Sequence, residues 1–179
     1  MKKNLLLALM VATFVMLGSK AAQAVNLSWV DSNRTVIVEN TVQVTKPSTK
    51  WDTQTKHYED PAPVKWVRHI DGANPQMFLR YSANVKGRTA HDYAKLIVKN
   101  ELAARGITVT GVQNKVINNR HVAVINGTKD NERYMIGVWR HRDIGFQLEC
   151  KAELNKFDNF MGEFDQAINS VQIVKEQGL

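Results

Sequence analysis

One cysteine, Cys150, is all the sequence offers for covalent cross-linking. No disulfide within the chain can hold it, so a hydrophobic core must. Proline is scarce and confined to the first half, at Pro47, Pro61, Pro63 and Pro75. Past Pro75 nothing interrupts long strands or helices. Internal repeats and low-complexity tracts are missing, which excludes solenoids and disordered linkers. There is no glycine-rich phosphate loop, no nucleophile elbow and no paired acidic motif. After residue 17 no apolar run approaches the ~20 residues of a membrane-spanning helix.

What is present at the start is a secretory layout. Lys2 and Lys3 are basic, Leu5 to Leu17 is apolar, and Ala22-Gln23-Ala24 has small residues where a signal peptidase reads. The expected organisation is a signal peptide over 1–24 and one domain over 25–179. Val25 stands where a lipoprotein would carry cysteine, so no lipid anchor is expected after cleavage. Three lysines and no acids fall in the signal, so the formal charge of +7 drops to +4 in the mature chain. That charge is dispersed, and no nucleic-acid partner is expected. The nearest approach to a basic patch is Arg133 with Arg140-His141-Arg142, which reads as a solvated strand end and turn.

The mature chain opens with extended signals at Thr35 to Val38 and Val42 to Thr45, joined by Glu39-Asn40-Thr41. Residues 52–63 read as a polar and aromatic loop. Val64 to His69 and Met77 to Ala83 read as strands, separated by the turn chemistry of Asp71-Gly72-Ala73-Asn74-Pro75. A helix is expected from Thr89 to Gly106. Thr89 and Asp92 suit a capping box. Ala90, Tyr93, Ala94 and Ile97 recur at helical spacing, Glu101 and Arg105 stand four apart, and Gly106 is the stop. Strands then alternate from Ile107 to Cys150 with turns at Asn118-Asn119, Lys129 to Glu132 and His141 to Gly145. Phe146, Leu148 and Cys150 alternate with Gln147 and Glu149, predicting a four-stranded antiparallel meander buried on one face. Finally Phe157, Phe160, Met161, Phe164, Ile168 and Val171 form one helical stripe, with Asn155 as N-cap. Three phenylalanines on that stripe imply docking on the sheet.

This order is α+β: an antiparallel β-sheet meander flanked by helices. It resembles the PsbP-like family, which includes an extrinsic subunit of the photosystem II oxygen-evolving complex and small exported bacterial proteins of the DcrB type. The resemblance lies in a strand running into proline and tryptophan (Val42 to Trp51) and a threonine-capped helix (Thr89 to Ala94). It continues in a hairpin followed by strands carrying Tyr134 and Phe146, and a helix ending Phe164, Ile168, Ser170. It spans roughly Val36 to Val174. It implies an α-β-α sandwich and a binding or accessory role, and no partner-binding residue of the plant members maps onto this chain.

Candidate chemistry is sparse. The alternation points Cys150 into the core, where it is a small hydrophobe. His57, His69, His91, His121 and His141 stand at no metal-ligand spacing. No cofactor, metal site or catalytic residue is expected. Three sequons, at Asn26, Asn33 and Asn126, are taken as chance in a bacterial protein. The candidate partner-binding residues are Trp51, Tyr58 and Trp66, as aromatic anchors around the 52–63 loop. The functional expectation is an exported, non-enzymatic binding or accessory protein of a bacterial envelope. It would act in the periplasm or outside the cell, on another protein or a small ligand. The alternatives are a secreted effector acting on a host and an envelope hydrolase whose site is assembled from distant residues.

Overall fold

The computed structural model describes residues 27–30, 35–54, 64–83 and 85–174. The signal segment and its cleavage site lie outside them. A seven-stranded antiparallel sheet forms the centre, in the order β4 (Asp52–Gln54), β5 (Val64–Val67), β6 (Gln76–Ala83), β10 (Ile144–Glu153), β9 (Glu132–His141), β8 (Arg120–Lys129), β7 (Thr108–Ile117). A smaller sheet, β1 (Leu27–Val30), β2 (Thr35–Val38), β3 (Val42–Thr45) and β11 (Gln172–Ile173), packs nearby. β1 and β4 are strands that the sequence reading left as unassigned chain and loop.

The meander strands β7 to β10 are ten residues each, and their turns explain the register. Asn118 and Asn119 both adopt left-handed backbone, with φ of 49° and 60°. Asparagine tolerates that conformation, and it matches the twist of a tight hairpin. Asp130 (φ 50°) and Arg142 (φ 52°) open the next two turns. Asn118 also ties its hairpin to the end of the chain: its Nδ2 donates to the carbonyls of Asn169 and Val171, at 3.1 and 2.8 Å.

Both faces of the large sheet are covered, which corrects the one-face expectation. On one face Met77, Leu79, Val122, Val124, Trp139, Phe146, Leu148 and Cys150 join the valines of the small sheet and helix α2 (Met161–Asn169). On the other, Ala123, Ile125, Ile136 and Val138 meet helix α1 (Ala90–Leu96) and its continuation, a π-helical segment over Ile97–Leu102. The result is the three-layer α-β-α arrangement with a small sheet added beside α2. Gln147 and Glu149, which read as solvent-facing, point to the α1 face and are 2% and 1% exposed.

Helix α1 begins as its sequence dictates. Thr89 accepts from the Asp92 amide at 3.0 Å, and Asp92 accepts from the Thr89 amide, closing the capping box. Those hydrogen bonds from Thr89 hold the Asp92 carboxyl below the ordinary carboxylate range. Ala90, Tyr93, Ala94 and Ile97 are all buried. The π-helical turn then rotates the following residues relative to α-helical spacing. Glu101 accepts from Gln147 Nε2 on β10 at 3.1 Å, and Arg105 reaches Glu149 on the same strand. Gly106 ends the run with φ 72°.

The closing helix is shorter than its stripe suggests. A 3-10 turn at Phe157–Asn159 precedes α2, and Phe160 stands at the N-cap with no side-chain cap. Asn155 is therefore not the cap. Met161 is 40% exposed and leaves the stripe, whereas Phe157, Phe160 and Phe164 are buried. The Phe164 ring lies 5.2 Å from Phe157, 6.2 Å from Phe160 and 6.0 Å from Trp51, all tilted. Tilted pairs at this spacing are the favourable aromatic geometry.

Candidate functional site

Trp51 and Trp66 are core residues. They are 0% and 1% exposed, Trp51 against Phe164 and Trp66 on β5 in the same core. The Trp51 indole N–H donates to Glu163, which also takes Arg68, so the ring is pinned at both ends. Neither ring is presented to solvent, which corrects the reading of both as exposed anchors. The physical reason is packing: Trp51 meets the Phe164 ring, and Trp66 is a core-facing residue of β5. Tyr58 lies outside the described residues. Cys150 is fully buried, and burial pushes its thiol well above the ordinary value, with Glu149 adding to the effect.

The structure builds a different place for a ligand. A cavity of about 620 Å³ opens between the first turn of α1 and the end of the meander. Thr89, Ala90 and His91 line it from the helix, Asn114 from β7, Asn119 to Val122 from the hairpin and β8, and Arg140 from β9. Its volume is that of a small-molecule site. Strand register explains the convergence. Ala123 on β8 faces Val138 on β9. Two residues further along each strand stand His121 and Arg140, on the same face, and α1 lies above that face.

The cavity's arginines differ from four others in the molecule. Arg68 pairs with Glu163, Arg80 and Arg105 with Glu149, and Arg133 with Asp158. Arg120 and Arg140 have no ion pair with any described residue, and neither have His91 and His121. Two buried nitrogen atoms here, His91 Nδ1 and Arg140 Nε, have no hydrogen-bond partner. Leaving such groups unsatisfied costs about 1–3 kcal/mol each. No group of three or more metal-ligating side chains occurs among the described residues.

Arg133 and Arg140, the nearest approach to a basic patch in the sequence, stand on opposite sides of the sheet. Arg133 sits 4.6 Å over the Phe157 ring and binds Asp158 on the α2 side. Arg140 belongs to the cavity on the α1 side. Sequence spacing could not assemble the cavity's residues, because they come from four elements and converge only through hairpin register.

Beyond the end of α1 the same sheet face carries a polar network. Both terminal nitrogens of Arg105 donate to Glu149 at 2.6 Å, and Arg80 Nε adds a contact at 3.4 Å. Lys151 and Tyr134 both donate to Glu132. Burial pushes Glu132 upward, but these two hydrogen bonds outweigh it and leave its carboxyl below the ordinary value. Burial, with the neighbouring Glu132, pushes the Tyr134 phenol far up. Lys65, Arg80 and Lys151 lie 5.3, 5.4 and 5.8 Å over the Phe78 ring and roof it. Every charge named here has a partner, so this network seals the face.

No family model matches the chain, and no curated protein matches it. Among solved structures it is similar to the solution structure of cyanobacterial PsbP (CyanoP) from Synechocystis sp. PCC 6803. The TM-score is 0.52 at 12% identity, covering 90% of this chain and 99% of that one. A second similar structure is a protein of unknown function from Pseudomonas aeruginosa, at TM-score 0.42 and 8% identity, covering 82% of this chain and 94% of that one. The first likeness shows a PsbP-like fold, and at such identity it speaks to fold alone.

Proposed function

We propose that this chain is an exported, non-enzymatic binding or accessory protein of a bacterial envelope, and that its binding site is the cavity between α1 and β7 to β9. The observation that carries the reading is the cavity itself: about 620 Å³, with two arginines and two histidines brought to it by three elements, α1, β8 and β9. Its lining supplies groups that hold a ligand, with no carboxylate, serine or cysteine among the nine residues around it. The secretory layout of residues 1–24 supports export. The PsbP-like fold fits an accessory role, and no helix among the described residues is long and apolar enough to cross a membrane.

Two measurements test it. Cell fractionation with N-terminal sequencing is expected to find a chain beginning at Val25 in the periplasm or the medium. An uncleaved chain in the cytoplasm overturns the export. Screening small neutral and charged compounds by NMR, read at the His91 and His121 ring protons, is expected to give saturable shifts. Shifts confined to residues away from the cavity overturn the site.

A further inference from the structure

Resting on the reading of this cavity as a binding site, we infer that its ligand is a small organic phosphate. The phosphate would lie between Arg120, Arg140 and His91, and the organic body would fill the rest of the cavity. Three observations carry this. First, Arg120 and Arg140 face the cavity without a carboxylate partner, whereas Arg68, Arg80, Arg105 and Arg133 are all ion-paired. Two guanidinium groups at one cavity are a site of uncompensated positive charge, and guanidinium is the side chain best matched to phosphate oxygens. Second, Arg140 Nε and His91 Nδ1 are buried and unpartnered. Each is a nitrogen that an anion's oxygen would satisfy, His91 when its Nδ1 carries the proton.

Third, the neutral donors complete a shell rather than a plane. Asn114 and Asn119 add amide groups from β7 and the hairpin. Donors arriving from a helix, a hairpin and a third strand surround a tetrahedral anion more fully than a flat carboxylate. The cavity is much larger than inorganic phosphate needs, so the anion would carry an organic body that fills the remainder. A phosphate ester, free or as a lipid headgroup, is such an anion. Asp92 is the acid closest in sequence to this lining, and its carboxylate is engaged by the Thr89 amide and hydroxyl.

The test titrates the purified protein with phenyl phosphate, inorganic phosphate, benzoate and benzyl alcohol, reading the His91 and His121 ring protons by NMR and the affinity by calorimetry. Vesicles containing a phosphatidic acid form a further arm. Phenyl phosphate is expected to bind tightest, with inorganic phosphate weaker because it leaves most of the cavity empty. Arg140→Gln is expected to weaken phenyl phosphate about tenfold, the loss of one charged hydrogen-bond donor. Arg120→Gln, at an exposed position, is expected to weaken it similarly and guards against a folding defect in the first variant. Vesicle binding abolished by the same variants would assign the phosphate to a lipid headgroup, and binding of the free ester alone would assign it to a soluble metabolite. Benzyl alcohol or benzoate binding as tightly as phenyl phosphate overturns the inference and leaves the cavity a binding site. Absence of any shift at His91 and His121 overturns both. Binding unchanged in both arginine variants also overturns the inference.

Discussion

The two faces of the large sheet are built on different physics. The α2 face is closed by hydrocarbon and aromatic rings: Trp51, Trp66, Trp139, Phe146, Phe157, Phe160 and Phe164 meet the valines of the small sheet. The α1 face is closed by a helical run over alanine, isoleucine and valine, and where the helix stops, ion pairs take over around Glu149. Apolar burial is non-directional and stabilises in proportion to area. A buried ion pair is directional, and its net gain is small because both charges lose water. The first face therefore supplies most of the stability. The second has side chains with fixed geometry and, at its α1 end, arginines left over for a ligand.

Breaking the first face should cost most. Phe164→Ala removes the ring that Trp51, Phe157 and Phe160 all touch, and is expected to destabilise by about 3–5 kcal/mol in urea unfolding. The matching lesion on the second face is Glu149→Gln. It removes the negative charge and one of the two acceptor oxygens shared by Arg80 and Arg105, which are 16% and 35% exposed. Water reaches those arginines, so the loss should fall to about 2 kcal/mol, below the range for fully buried pairs. Equal or reversed losses in the two variants would show that the ion pairs, not the aromatic layer, dominate.

Each face also carries a glycine on which an aromatic ring rests, and this sharpens the contrast. A Cβ at Gly137 would stand 2.3 Å from the Trp139 ring, and one at Gly145 would stand 2.3 Å from the Tyr93 ring. Both alanine variants should lose about 1–3 kcal/mol by overpacking. Gly145→Ala should lose more, because Tyr93 belongs to α1 and the clash drives helix from sheet, whereas Trp139 shares a strand with Gly137. Urea midpoints of the pair decide it. The smallest effect is a pH dependence. Glu132 has its folded value below its unfolded one, so it contributes stability above the ordinary carboxylate range that is lost as pH falls through the folded value. The stability gap between the wild type and Glu132→Gln should narrow steadily on acidification; a gap that widens would contradict the hydrogen bonds from Lys151 and Tyr134.

The α2 face was readable in the sequence because its signals are local. The phenylalanine stripe, the Asn118-Asn119 turn and the alternation of Phe146, Leu148 and Cys150 each lie within a few turns or a hairpin. The α1 face was half readable. The Thr89 capping box and the Tyr93 to Ile97 stripe announced the helix, but Gln147 and Glu149 looked like solvent residues because polarity is the usual mark of an exposed face. Their burial follows from partners, Arg80, Arg105 and Glu101, that lie distant in sequence. Trp51 and Trp66 misled for a related reason: an aromatic beside a polar segment looks like an exposed anchor until the strand that buries it is placed.

The sequence by itself determined the α+β class, the order of elements, the caps and turns, and the commitment to a packed core without a disulfide, since periodicity, capping and cysteine count act over short range or over the whole chain. Only the tertiary structure decided which arginines have a carboxylate and which do not. Hairpin register and the rotation of the π-helical turn set that pairing. They bring Arg105 to Glu149 and leave Arg120 and Arg140 facing a cavity with His91 and His121.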